Sequence, residues 1–393
     1  MDRFAVFSML ELLLAGAAAV CFVIQLLYYR ITYLRPCRKA PLQPKPEEPD
    51  AWPPVSVIVY ANKESFYLKE NLPALLKQDY PQYEVIVVND GSTTESDDIL
   101  KLFANDYPHL YHTFTPQESK YLSRRKLSLM IGVKAAKNDI LLFTEAGCCP
   151  LTDQWIRAMV RNYTGQTSIV LGFCAYRTHA GFFHKLAAYD NLIAGVQYIS
   201  AALVNRPYSG NGKNLSYRKT LFYEQKGYSH SLGLHAGDDN LFINESATGR
   251  NTCVTYTPAS ITGMAPFDCF AAWKEMRIAR AATQAYFKGN RLLFYRMEKL
   301  SAALFLVSVA ALITAGAFGA HLQAILLGAL LYTLLYIVKA IVWKKTATML
   351  QQPPFTAWLP FLEIVDLSIS LYLRIYHLFH RKRDYTFTLG GGK

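Results

Sequence analysis

The chain has 393 residues, and its 41 lysines and arginines outnumber its 29 aspartates and glutamates, giving a formal net charge of +12. With 52% hydrophobic and only 18% charged residues, it is too apolar for a disordered chain or for a nucleic-acid-binding basic tail. The apolar residues crowd into the first 30 positions and return after Leu300, a layout that predicts a membrane protein carrying one large aqueous domain between.

Leu12 to Tyr29 carries no charge and is followed by Arg30, Arg35, Arg38 and Lys39. About 20 apolar residues span a bilayer, so residues 1–30 are expected to form an N-terminal anchor. Ala17, Ala18 and Ala19 would suit a cleavable signal peptide, but the apolar run continues beyond them and the basic flank lies after it. The positive-inside rule then sets the N-terminus outside and everything after Arg30 in the cytoplasm, at an inner or plasma membrane. Residues 31–54 form a Pro-rich linker with prolines at 41, 44, 46, 49, 53 and 54, expected to be a semi-rigid spacer that holds the next domain off the membrane.

Residues 55–298 are expected to be one α/β domain. Short β-branched runs (55–59, 84–88 and 140–144) alternate with helical patterns at 70–77, through Ile99 to Phe103, and at 124–136. Continuous apolar strands between helices imply a parallel sheet covered on both faces. Glu64, Asp90 and Glu145 follow or end these strands, and in an open α/β sheet ligands sit beyond the carboxyl ends of the strands. Asp90 and Asn89 could instead cap the following helix, and for Asp90 that role is weighted equally with ligand binding. No Gly-x-Gly-x-x-Gly or Walker loop is present, so dinucleotide and P-loop chemistry are poorly supported.

Two apolar runs follow, Leu300 to Leu322 and Ala324 to Trp343, with Gly316, Gly319 and His321 between their centres. Basic residues flank both outer ends, so residues 299–345 predict a helical hairpin, with Lys339 able to snorkel to the headgroups. Residues 353–380 are apolar enough to cross but carry Glu363, Asp366 and Arg374, each costing about 2.5–3.5 kcal/mol at a helix centre. An interfacial or re-entrant helix is favoured there, with a third crossing as the alternative, before a basic tail at 381–393. The seven cysteines have no CxxC spacing and read as reduced thiols, with the adjacent Cys148 and Cys149 read as strand-end packing rather than metal ligands. The charge balance suits anionic lipid as a partner, and no Arg/Lys stripe with interleaved aromatics argues for nucleic acid.

Five segments in order carry a family resemblance. They are Val55 to Glu64, Asn71 to Pro81, Val87 to Ser92, Thr144 to Pro150 with Arg125-Lys126 before it, and Gly210 to Arg218 followed by Gly237-Asp238-Asp239-Asn240-Leu241. Together these resemble the family-2 glycosyltransferases of GT-A fold, a nucleotide-diphospho-sugar transferase domain of Rossmann-like α/β architecture, in their membrane-bound branch. The resemblance implies inverting transfer of a sugar from a nucleotide-diphosphate donor to a hydroxyl of a lipid-linked or surface-glycan acceptor. On this likeness Ala61, Glu64, Asp90 and Glu145 hold the donor nucleotide, and Lys126 lies near the diphosphate. Asp239, in its pair with Asp238, is the general base, and Asn211, Gly212 and Asn214 line the acceptor side.

Two positions depart from the family pattern. Its metal-binding Asp-x-Asp reads Glu145-Ala146-Gly147 here, so the second carboxylate for a magnesium or manganese ion is absent. Glu145 could bind a divalent cation through water with help from Asp238, the enzyme could use cations of its own, or the chain could be a non-catalytic scaffold in a glycan-synthesis complex. The Gln-x-x-Arg-Trp motif of processive synthases has its nearest match at Arg277 to Ala281, which keeps Arg280 but lacks Gln and Trp. Arg277 and Arg280 could face a diphosphate, or with Trp273 and Lys288 rest on lipid headgroups. The missing Trp and the few membrane segments disfavour a processive polysaccharide synthase.

Overall fold

The structure, a computed structural model, describes residues 7–39, 51–62, 65–91, 93–116, 123–177, 180–234 and 236–379. Helix α1 (Met9–Tyr28) runs into a π-helical turn (Tyr29–Tyr33) and the short α2 (Arg35–Lys39). The aqueous domain opens with β1 (Val55–Asn62), α3 (Ser65–Leu76), β2 (Tyr83–Asp90), α4 (Thr94–Asp106), β3 (Leu110–Phe114), α5 (Arg124–Ala135) and β4 (Ile140–Glu145). It continues through β5 (Cys148–Pro150), α6 (Trp155–Val160), β6 (Ile169–Leu171), β7 (Cys174–Tyr176), α7 (Phe182–Ala202), β8 (Leu215–Arg218) and α8 (Lys219–Glu224). Then come α9 (Asn240–Ser246), β9 (Thr252–Val254), β10 (Thr262–Met264) and α10 (Phe270–Gln284). Helices α11 (Arg291–Phe318), α12 (Leu322–Met349) and α13 (Leu359–Phe379) complete the described chain.

Seven strands form one sheet in the order β3-β2-β1-β4-β8-β6-β9. Its first four are parallel, as the apolar runs require. Val57, Val59 and Ala61 of β1 enter one core while Ile58 and Tyr60 enter the other, so both faces are covered. Beyond β4, where the apolar runs made no expectation, the sheet is mixed, because β8 pairs antiparallel with both β4 and β6. The strands concerned have only three or four residues, too few for a readable periodic pattern. A second, three-stranded sheet, β5-β10-β7, flanks the end of β4.

Among the described residues, four helices are long and apolar enough to cross a membrane: Met9–Tyr33, Arg291–Phe318, Leu322–Met349 and Thr356–Tyr376. Helices α11 and α12 are consecutive and pack against each other. A Cβ on Gly328 would lie 2.8 Å from Ile313, and one on Gly316 2.9 Å from Ala324, so these glycines allow the close approach. Gln25 of α1 donates to the Glu298 carbonyl at 3.0 Å and to Ser301 at 2.8 Å, fixing α1 against α11.

The domain is not held off these helices by a spacer. Residues 40–50 of the linker lie outside the described residues, but those before them dock directly. Tyr29, Tyr33 and Trp343 belong to the same buried core as Ile58 and Phe143. Trp343 donates to the Tyr29 hydroxyl at 3.0 Å, and Ser200 of α7 donates to the Thr32 carbonyl at 2.6 Å. Aromatic area outweighs a polar gap here, because Tyr29, Tyr33 and Trp343 are too large to leave half-wetted.

Lys339 does not snorkel. It is buried, paired with Glu363 of α13, and its ammonium lies 5.4 Å from the Tyr29 ring centroid. Asp366 accepts from Lys299 at 2.7 Å and from Arg277 at 3.1 Å. The acids of α13 therefore face protein, while Phe361, Ile364, Leu371 and Ile375 form its exposed apolar side.

Candidate active site

Parallel pairing brings the ends of β1 and β4 together, with Tyr60 opposite Glu145 and Asn62 opposite Asp90 on β2. Helix α5 begins beside them with three successive basic residues, Arg124, Arg125 and Lys126, over the capping side chain of Ser123. Cations in a first turn oppose the helix dipole, so carboxylates must compensate them. They do: Arg125 spans the cleft, 2.7 Å from Glu145 Oε1 and 2.8 Å from Asp238 Oδ2, and its guanidinium lies 4.8 Å from the Tyr60 ring centroid. Lys213 approaches Glu145 from the other side, with Nζ 3.6 Å from Oε2. Asp239 completes the group. Its Oδ2 accepts the Gly212 N–H at 2.9 Å and its Oδ1 the Asn240 N–H at 2.5 Å. A small cleft lined by Arg125, Thr144, Gly212, Tyr217, Asp238 and Asp239 opens between them.

The electrostatics separate the acids. Burial works to raise the Glu145 carboxyl, but Arg125 and Lys213 outweigh it and hold it down at about 2. The Asp239 carboxyl is raised, first by burial and then by the neighbouring Asp238. Burial opposes the charge on Arg125, yet Asp238 and Glu145 carry it well above its ordinary value. The cleft thus contains one firmly ionised acid clamped by two cations, and one acid whose proton affinity is enhanced, the property a general base needs.

The expected site residues divide. Asp90, Glu145, Asp238, Asp239 and Gly212 meet around Arg125 and Tyr60. Asp90 accepts from the Tyr60 hydroxyl at 3.0 Å and from Arg124 Nε at 2.7 Å. It does not cap α4, because Thr93 does so, accepting from Ser96 at 3.2 Å, while Asn89 donates to Ser96 at 2.8 Å. Ala61 is buried in the core beneath the cleft edge. Glu64 lies outside the described residues. Asn211 is half-buried and accepts from the Lys213 N–H at 3.1 Å.

Three others are placed differently from the expectation. Lys126 is wholly buried and donates to Ser231 and to the Leu234 carbonyl, pinning the 231–234 loop rather than facing a diphosphate. Burial pushes its ammonium down to about 8. Asn214 is also fully buried. It donates to the carbonyls of Phe173 and Ser260 at 2.8 and 2.7 Å and accepts from Trp155, so no group is left for an acceptor sugar. Arg280 bonds Asp190 of α7 at 3.3 Å, and Arg277 joins Asp190 to Asp366, so these arginines tie α10 to α7 and α13 rather than to headgroups. Trp273 is buried with them.

The resemblance at Arg125-Lys126 passed over the first residue of the pair, and Lys213 stood unremarked inside the Gly210 to Arg218 segment. The one available signal was the run of three cations at a helix start.

The donor set does not suit a divalent cation. Gly147 brings no carboxylate, both Glu145 oxygens are engaged by cations, and among the described residues no group of three His, Cys, Asp or Glu is arranged to hold a metal. Cys148 is buried with Sγ 3.9 Å from that of Cys174, as strand packing, and all seven cysteines are free.

A family model described as Glycosyl transferase family 2 matches residues 56–231. Glycosyltransferase AglE of Haloferax volcanii is 30% identical over 116 residues, which cover 29% of this chain and 36% of that relative's length. The chain therefore matches little more than a third of that protein. Among solved structures, the mannosyltransferase PcManGT from Pyrobaculum calidifontis, in complex with GDP-Man and Mn2+, superposes with a TM-score of 0.56 at 19% identity, covering 87% of this chain and 99% of that one. The fold is shared.

Proposed function

We propose that this chain, which matches the family-2 glycosyltransferase model over residues 56–231 and shares the fold of a solved mannosyltransferase, is an inverting enzyme moving a sugar from a nucleotide-diphosphate donor to an acceptor hydroxyl held at the membrane. The observation that carries this is the convergence on Arg125 of Glu145 and Asp238, with Asp239 held beside them by Gly212. Asp239 takes the proton of the acceptor hydroxyl. The freed oxygen attacks the sugar C1 from the face opposite the diphosphate, and the C1–O bond breaks with its electron pair passing to the diphosphate. Asp90, Tyr60 and Glu145 line the donor side. GDP-mannose is the first donor to test, because the structural neighbour holds it.

The four apolar helices and the basic residues beside them support a membrane protein with its N-terminus outside and its catalytic cleft cytoplasmic. In this arrangement α13, with its acids turned to protein and its apolar side exposed, lies along the interface, close enough for a lipid-linked acceptor. The decisive experiment incubates the purified full-length protein with a panel of nucleotide sugars. Transfer or hydrolysis from at least one donor is expected, and Asp239→Asn should abolish it while donor binding survives. A complete panel without binding ends the reading.

A second reading, a non-catalytic scaffold in a glycan-synthesis complex, is favoured only by Gly147. It predicts donor binding without turnover by any acceptor-bearing membrane extract.

A further inference from the structure

We propose that Arg125 and Lys213 take over the part a divalent cation plays at the donor diphosphate, so that this site works without a metal. The inference rests on the glycosyltransferase reading above and deepens it by naming the residues that stabilise the leaving group.

The strand end where the fold family keeps two carboxylates keeps one, and that one is occupied. Glu145 has Arg125 at 2.7 Å on one oxygen and Lys213 at 3.6 Å on the other. Together the two side chains bring two formal positive charges, the number a divalent ion would supply. They are also fixed in advance, as stabilisation of developing charge requires. Arg125 is held by Glu145, Asp238 and the face of Tyr60. Lys213 is anchored through its backbone, whose carbonyl accepts from Thr144 at 3.1 Å and Thr262 at 3.4 Å, linking β4 to β10.

The Lys213 ammonium itself is undersupplied. Among the described residues its hydrogen-bond partner is the weak sulfur acceptor of Met264 at 3.3 Å, its Glu145 contact is too long for a hydrogen bond, and Phe267 lies 5.7 Å away. An ammonium has three donors, and among the described residues they find only that sulfur and the ionic contact with Glu145. A diphosphate oxygen beside Glu145 would meet that need. As the C1–O bond breaks and the electron pair passes to the diphosphate, the growing negative charge falls against Lys213 and Arg125. Glu145 serves as the counter-charge that positions both cations.

The test is calorimetric binding of GDP, UDP, ADP, CDP and dTDP to the full-length protein in detergent, once in EDTA and once with manganese. At least one diphosphate is expected to bind equally well in both buffers. Lys213→Met should weaken that diphosphate about ten- to a hundredfold, the worth of a hydrogen bond to a charged group, and should weaken the matching monophosphate less. Lys213→Arg should restore much of the loss. Gly147→Asp adds a carboxylate where none is wanted and should weaken binding in EDTA. Diphosphate binding that requires manganese overturns the inference and leaves the glycosyltransferase reading standing. So does a large manganese-dependent gain in Gly147→Asp. Absence of binding by any diphosphate in either buffer overturns both. If Lys213→Met does not fold, the two-buffer comparison on the unaltered protein still decides.

Discussion

The backbone N–H of Gly212 donates to Oδ2 of Asp239 at 2.9 Å, so the loop entering β8 directly aims the candidate base. A Cβ built on Gly212 would stand 3.3 Å from the Asp239 Cβ, tighter than ordinary packing, with an Arg125 nitrogen in ordinary contact at 3.5 Å. Gly212→Ala should therefore displace the base without removing it. Turnover should fall about a hundredfold, the cost of a misplaced reacting group, while donor affinity stays unchanged. Single-turnover rates beside equilibrium binding check this. Unchanged turnover would remove Asp239 from the mechanism.

The acid limb of the pH–rate profile should lie above the range of an ordinary aspartate. Burial and then the Asp238 charge raise the Asp239 carboxyl, and a base works only when ionised, so activity is lost as pH falls through that raised value. Asp238→Asn removes the like charge and should move the limb to lower pH. A profile whose limb ignores Asp238 would assign the base elsewhere.

Glu145 makes a contribution to stability that is itself pH-dependent. Its carboxyl is depressed from 4.5 to about 2, so the stabilisation is complete above the unfolded value and disappears as pH drops from 4.5 towards 2. Its size is on the order of 3 kcal/mol, with 1.36 kcal/mol for each tenfold change in proton affinity. Glu145→Gln should lower the melting temperature at neutral pH and narrow the gap to the parent protein at acid pH. Equal melting curves at neutral pH would contradict the clamp.

The link between α10 and α13 should also be measurable. Arg277 is buried between Asp190 and Asp366, and removing it leaves two acids short of a partner. Arg277→Met should cost roughly 3–5 kcal/mol, the usual penalty for breaking a buried pair from one side. Adding Asp366→Leu should recover part of it, because Asp190 keeps Arg280 as a partner and Lys299 can then adjust. Thermal unfolding in detergent of the single and double variants decides the matter.

Long periodic elements were legible in the sequence. The strands containing Val57, Val87 and Leu142, the hairpin turning at Gly319, and the acids at the strand ends all follow from runs of residues and their spacing. What escaped depended on side-chain direction, which spacing does not carry. Lys126 and Arg125 are adjacent on α5 and so point about a quarter-turn apart, one into the 231–234 loop and the other into the cleft. Asn214 follows Lys213 on the way into β8 and falls on the opposite side, into the core. The acids of α13 counted as a membrane cost only because their partners Lys339, Lys299 and Arg277 lie far away in sequence.

Trp343 and Tyr33 sit in one packed interior with Phe143, and this has a geometric outcome for catalysis. A domain fused to its helices in this way cannot swivel or bob on a tether. Under the proposed function, the height of the Asp239 carboxylate over the bilayer would be a fixed length, like the jaw of a caliper. Acceptors whose hydroxyl rides at that height would be served and those standing taller or shorter passed by, so the packed helices would act as a ruler for substrate length.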